Sequence, residues 1–118
     1  MKKKILLVDD NKFIRDSFSE RLRNNKYEVS SAKDGKEAID KIVADNSDVV
    51  ITDIGMPGVN GIEVLKFTKK NKPKAKVIVM STYVNQEVIN KVMELGADKY
   101  IEKSSFLKDI ISVLDKIN

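Results

Sequence analysis

The residues able to do chemistry in this chain all stand directly after short apolar runs. Asp9 and Asp10 follow Ile5-Leu6-Leu7-Val8, Asp53 follows Val49-Val50-Ile51-Thr52, Ser81 and Thr82 follow Val77-Ile78-Val79-Met80, and Lys103 follows Tyr100-Ile101-Glu102. Three carboxylates held close together repel one another and raise one another's pKa unless a cation lies between them. An oxygen-lined pocket of that kind favours a hard divalent ion. Mg2+ is the natural choice, because it takes one or two carboxylates, keeps several waters and completes its octahedron with phosphate oxygens. A lysine and a hydroxyl opposite the ion suit the remaining charge of an incoming phosphoryl group, and an Asp can act as the nucleophile. The pattern therefore points to phosphate chemistry.

Composition narrows the choice. Among 118 residues there is no His and no Cys, which excludes an in-chain imidazole base, a thiolate nucleophile, a thiolate metal site and a disulfide framework. The absence of Cys fits a reducing cytoplasm, the expected location. The opening Met1-Lys2-Lys3-Lys4 followed by four apolar residues resembles the start of a signal peptide. The apolar run stops at Asp9, so neither an export signal nor a membrane segment is expected. The net charge of +4 invites a nucleic-acid reading. Its densest cluster, Lys66, Lys69, Lys70, Lys72, Lys74 and Lys76, has no interleaved aromatics and matches no nucleic-acid motif, so a solvated face is expected and no direct nucleic-acid contact.

The elements that must carry these residues alternate. Lys4 to Val8 reads as a buried strand, and Asn11 can cap a helix with Ile14, Phe18 and Leu22 on one face, running to about Asn24. Tyr27 to Ser31 is a more polar strand that suits a sheet edge. Asp34 caps a helix bearing Ala38, Ile39, Ile42 and Val43. Asp48 to Thr52 is a third strand, buried on both faces, after which Pro57, Gly58 and Gly61 force a turn. Asn60 caps a helix with Ile62, Leu65 and Phe67 that ends before Pro73. Lys76 to Met80 is the fourth strand. Asn85 caps the next helix, with Val88, Val92 and Leu95 inward and Gly96 as its stop. Asp98 to Ile101 is the fifth strand, and Ser105 caps a last helix with Leu107, Ile110, Ile111, Leu114 and Ile117 along one stripe. Five strand-helix units with short, right-handed connections give one α/β domain over residues 1–118, a doubly wound parallel sheet with helices on both faces. Successive parallel strands point the same way, so the acids, hydroxyls and lysine gather at one sheet edge.

Asp9-Asp10 after the first strand, Asp53 with Met56-Pro57-Gly58 and Asn60-Gly61, Ser81, and the segment Gly96 to Lys103 together resemble the response-regulator receiver domain, the CheY-like family. The resemblance spans the whole chain. It implies a flavodoxin-like (βα)5 fold with strand order 2-1-3-4-5, and no effector domain within this chain. By resemblance Asp53 accepts a phosphoryl group from a phosphohistidine on a sensor histidine kinase or histidine phosphotransfer protein. Asp10, Asp53 and the Gly55 carbonyl would ligate Mg2+, with Asp9 acting largely through water. Lys103, the Ser81 hydroxyl and the Thr82 amide would hold the phosphoryl oxygens, and Tyr100 would turn inward when Ser81 moves. A downstream protein would read the face built from the fourth helix, fifth strand and fifth helix. The chain would then be a signalling switch that catalyses only its own phosphorylation and slow dephosphorylation, rather than an enzyme for free substrates.

Three positions depart from the family pattern. Ser104 follows Lys103 where Pro is usual, Thr82 replaces a smaller residue, and Gly55 replaces a longer polar one. Gly55 leaves an opening beside the acceptor. Tyr83 is expected either to cover it as a lid or to contact a partner. Two other functions fit the fold less well. A flavodoxin-like nucleotide module lacks a Gly-rich phosphate loop after the first strand, and a metal-dependent phosphatase usually has a second acid where Gly55 stands.

Overall fold

The computed structural model describes residues 3–56, 58–82 and 85–117. Five parallel strands, β1 (Lys4–Val8), β2 (Glu28–Ala32), β3 (Val49–Asp53), β4 (Lys76–Ser81) and β5 (Lys99–Glu102), form one sheet in the order β2-β1-β3-β4-β5. Helices α1 (Lys12–Arg23), α2 (Gly35–Ala44), α3 (Gly61–Asn71), α4 (Gln86–Glu94) and α5 (Phe106–Ile117) connect and follow them. The doubly wound (βα)5 architecture expected from the alternation is the one observed.

Alternation along the strands divides the core in two. Leu6, Val8, Val50, Val77 and Val79 face α2, α3 and α4, where they pack with Ala38, Ile42, Val64, Leu65 and Val92. Ile5, Leu7, Ile51, Ile78, Met80 and Ile101 face the other way, against Phe18 and Leu22 of α1 and Phe106, Ile110 and Leu114 of α5. The rings of Phe18 and Phe106 stack there with centroids 3.8 Å apart. Four helices begin as the sequence predicts: the side chains of Asn11, Asp34, Asn60 and Asn85 accept from the backbone N–H of Ile14, Glu37, Glu63 and Val88. Each satisfies an N-terminal donor that the helix itself cannot. Gly96, with φ of +102°, ends α4 as expected.

Local expectations shift in places. Strands β2, β3 and β5 each run one residue later than the sequence reading, and β4 extends one further, to Ser81. Ser105 immediately precedes α5, but as the last residue of a 3-10 turn, Lys103–Ser105, that leads into it. Val43 and Leu107 are exposed, at 61% and 47%. Their neighbours Ile42 and Phe106 take the inward positions, and the turn of about 100° per residue along a helix carries Val43 and Leu107 toward solvent.

Register aligns the strand ends. Val8 pairs with Thr52, Asp53 with Met80, Met80 with Ile101 and Ser81 with Glu102. Asp9, one past Val8, therefore lies level with Asp53, and Lys103 lies two past Ile101 on the same side. The turn after β3 then closes tightly. A Cβ on Gly61 would come within 2.0 Å of the Asp53 carbonyl oxygen, a backbone atom that cannot give way without moving the strand end. Gly61→Ala is expected to lower the unfolding free energy by about 2 kcal/mol, read as an earlier urea midpoint. An unchanged midpoint would mean that this close approach is not required.

Candidate phosphoacceptor site

The acids meet at the carboxyl edge of β1 and β3, where open α/β sheets place their ligands. Asp9 is fully buried and Asp53 is 5% exposed, whereas Asp10 faces solvent. One carboxylate oxygen from each lies within 4.8 Å of the other two. Lys103, from the turn after β5, places Nζ 2.7 Å from Asp9 Oδ2 and 3.1 Å from Asp53 Oδ2. It bridges the two buried acids because all three positions share a side of the sheet. Asp9 Oδ1 accepts from the Asn11 N–H at 2.9 Å, and Arg15 Nη1 donates to the Asp9 carbonyl at 2.8 Å. Asp9 Oδ2 faces the Lys103 ammonium, which offsets its charge in the buried site.

Charge and burial compete in this cluster. Burial pushes the Asp53 carboxyl above its ordinary range, against the pull of Lys103, and the nearby Asp9 pushes in the same direction as burial. Burial pulls the Lys103 ammonium down, yet its contacts with Asp9 and Asp53 outweigh that and leave it raised. A carboxyl whose pKa is higher folded than unfolded contributes stability below the unfolded value, and loses it as pH rises through the folded value. In metal-free buffer at neutral pH, Asp53→Asn is therefore expected to raise the melting temperature by about 3 °C. The advantage should shrink as pH falls toward the ordinary carboxylate range. A variant that melts below the parent at neutral pH would contradict this balance.

On the other side of the acids lies a cavity of about 330 Å3, lined by Asp53, Ile54, Gly55, Ser81, Thr82, Asn85, Val88 and Tyr100. A Cβ on Gly55 would find nothing within 4 Å, so the opening expected at this position is present. Ser81 Oγ and Tyr100 Oη are 2.6 Å apart. Of the residues singled out from the sequence, the structure gathers Asp9, Asp10, Asp53 and Lys103 around the acids, and Gly55, Ser81, Thr82 and Tyr100 around the cavity. Arg15 and Asn85 were missed. Asn85 reads from sequence only as a helix cap, and Arg15 carries no signal beyond its place in the first turn of α1.

The profile described as "Response regulator receiver domain" matches residues 5–115. The chain belongs to this family. Its relatives include chemotaxis protein CheY of Thermotoga maritima, 34% identical over 119 residues, covering 100% of this chain and 99% of that one. The solved structure of response regulator TrrA from the same organism, in complex with Mg2+ and BeF, is 35% identical, with a TM-score of 0.89 and coverage of 98% and 99%. A cyclic di-GMP phosphodiesterase of Thermotoga maritima is 32% identical over 99 residues, and the matched part is 84% of this chain but only 26% of that protein.

Receiver domains are signalling switches of two-component systems and typically bind Mg2+ at an acidic pocket. The residues of this receiver fit such an ion: one carboxylate oxygen from each of Asp9, Asp10 and Asp53 converges, a set of hard oxygen donors. Lys103 reaches both acids although Ser104 follows it. The basic cluster has structural tasks. Lys69 pairs with Asp98 at 2.9 Å and donates to the Ala75 carbonyl, Lys72 donates to Asn46, and Lys69 and Lys70 occupy the last turn of α3, where positive charge is favourable. Tyr83, expected either as a lid or as a partner contact, lies outside the described residues. Among the described residues no helix is long and apolar enough to cross a membrane.

Proposed function

We propose that this receiver accepts a phosphoryl group on Asp53 from a phosphohistidine of a sensor histidine kinase or histidine phosphotransfer protein, in a Mg2+-dependent reaction. The observation that carries the reading is Lys103 bridging Asp9 and Asp53 at 2.7 and 3.1 Å, beside a cavity bordered by the Ser81 and Thr82 hydroxyl groups. An Asp53 carboxylate oxygen attacks phosphorus as the N–P bond breaks, and the donor imidazole leaves with the electron pair. Burial restricts the carboxylate to a narrow range of approach, which favours in-line attack. Asp10, Asp53 and the Gly55 carbonyl would hold the ion, with Asp9 acting largely through water. When bound, Mg2+ supplies positive charge to the equatorial phosphoryl oxygens. Lys103 pairs with one of those oxygens, while the Ser81 hydroxyl and Thr82 N–H donate to others. The raised carboxyl pKa of free Asp53 reflects chiefly its burial, to which the neighbouring Asp9 adds, and the ion and Lys103 would offset both.

Movement of Ser81 toward the phosphoryl group would carry the change to Tyr100 and so to the α4–β5–α5 face, where a downstream protein would bind. The TrrA complex with Mg2+ and BeF supports this reading, since beryllofluoride on a carboxylate mimics a tetrahedral phosphoryl group. Titration with Mg2+ and beryllofluoride together is expected to shift the backbone amides of Asp53, Ser81, Thr82 and Lys103, with no such response to beryllofluoride in chelator. Silence at these amides when both are present would contradict the proposal.

A further inference from the structure

Asp9 and Asp10 are neighbours in the chain but are held in place by different means. The buried Asp9 carboxylate faces Lys103 at 2.7 Å and accepts from the Asn11 N–H at 2.9 Å. Asp10 is exposed, and among the described residues its side chain has no hydrogen bond or ion pair. One of its carboxylate oxygens nevertheless lies within 4.8 Å of those of Asp9 and Asp53. Its backbone must therefore set its place. The two peptide planes that flank Asp10 are each pinned by one hydrogen bond. The Asn11 N–H to Asp9 Oδ1 bond fixes the plane after it, and Arg15 Nη1, donating to the Asp9 carbonyl at 2.8 Å, fixes the plane before it. Arg15 is itself anchored, since its N–H donates to the Asn11 carbonyl at 3.0 Å at the start of α1. The position does not serve the helix. No acid stands in the first turn of α1, and a cation near a helix N-terminus opposes the positive end of the dipole.

We propose that Arg15 is a positioning residue for the metal site, setting the place of Asp10 through the Asp9 carbonyl. The proposal rests on the Mg2+ reading above and adds a residue outside the set that would hold the ion. Mg2+ demands near-ideal octahedral geometry, so a displaced carboxylate weakens its binding. Groups that orient metal ligands accordingly matter nearly as much as the ligands. Charge alone works the other way. A guanidinium close to the acids repels an incoming cation, so its removal would tighten binding if Arg15 had no positioning role. The two roles differ in sign.

The test is the Mg2+ affinity, followed by the amide shifts of Asp53 and Lys103, in the parent, Arg15→Met, Lys12→Met, Asp10→Asn and the double variant of Asp10→Asn with Arg15→Met. Lys12 lies in the same turn of α1 and pairs with Asp16 at 2.7 Å, so Lys12→Met removes an equal charge and leaves the Asp9 carbonyl untouched. Arg15→Met is expected to bind Mg2+ about tenfold more weakly than the parent, and Lys12→Met no more weakly than the parent. In the Asp10→Asn background Arg15→Met should cause no further loss, because the carboxylate that Arg15 places is gone. Arg15→Gln, whose amide falls short of the carbonyl, takes the place of Arg15→Met if that variant does not fold, with the same loss expected. Binding as tight as the parent's or tighter, a loss as large in Lys12→Met, or the same loss beside Asp10→Asn would overturn the proposal and leave the Mg2+ reading intact. A parent protein that binds no Mg2+ would overturn that reading, and the proposal with it.

Discussion

Lys103→Met is expected to destabilise the metal-free domain by about 3 kcal/mol at neutral pH, the largest loss of stability anticipated for any site residue. Methionine keeps most of the lysine stem and removes only the charge. Asp9 is fully buried and the Asp53 side chain is 7% exposed, and among the described residues Lys103 is the one cation ion-paired with either. Its removal leaves two buried carboxylates facing each other without a counter-charge. Because the Lys103 ammonium is raised in the folded state, its contribution is fully present below the ordinary lysine pKa and is lost only as pH rises through the folded value. The deficit should therefore be complete at neutral pH. It should narrow in acid, where the carboxyls are protonated and the counter-charge matters less. Added Mg2+ should recover part of it, since a divalent ion held by the same acids offsets the same repulsion. Urea unfolding of parent and variant, with Mg2+ and with chelator, checks all three statements. Coincident midpoints in chelator would show that Lys103 does not hold the acids together.

Much of this arrangement is legible in the sequence because it depends on local rules. Asn11, Asp34, Asn60 and Asn85 each announce a helix start, and the apolar runs before Asp9, Asp53 and Ser81 announce the strands whose ends must cluster in a parallel sheet. What escapes is whatever depends on register. Asp9 and Asp10 are equivalent as a sequence pair, yet side chains alternate with a period of two, so one is buried against Lys103 and the other faces water. The bond between Ser81 and Tyr100 arises from the pairing of β4 with β5, which fixes both side chains on one face; neither residue alone indicates it. Gly61 reads as a turn residue, but the approach to the Asp53 carbonyl that requires it is a tertiary contact. Val43 and Leu107 fail as core residues because an apolar neighbour already fills the inward position on each helix.

The second large effect is at the acceptor itself. Phosphoryl transfer to a carboxylate needs an oxygen nucleophile at one place, and an amide there is a poor substitute because its nitrogen lone pair is delocalised and its oxygen carries no full charge. Asp53→Asn is therefore expected to lose phosphoryl incorporation altogether, even though the fold is retained and the metal-free protein melts higher. Asp10, exposed and nearby, cannot take over the role, since it lies outside the contact between Lys103 and the buried acids. Intact-mass spectrometry after incubation with a small acyl phosphate tests the central claim most directly. The parent should gain one phosphoryl mass with Mg2+, map it to the peptide containing Asp53, and gain none in chelator or as Asp53→Asn. An adduct of the same yield in Asp53→Asn, or one that forms equally well in excess chelator, would contradict the account.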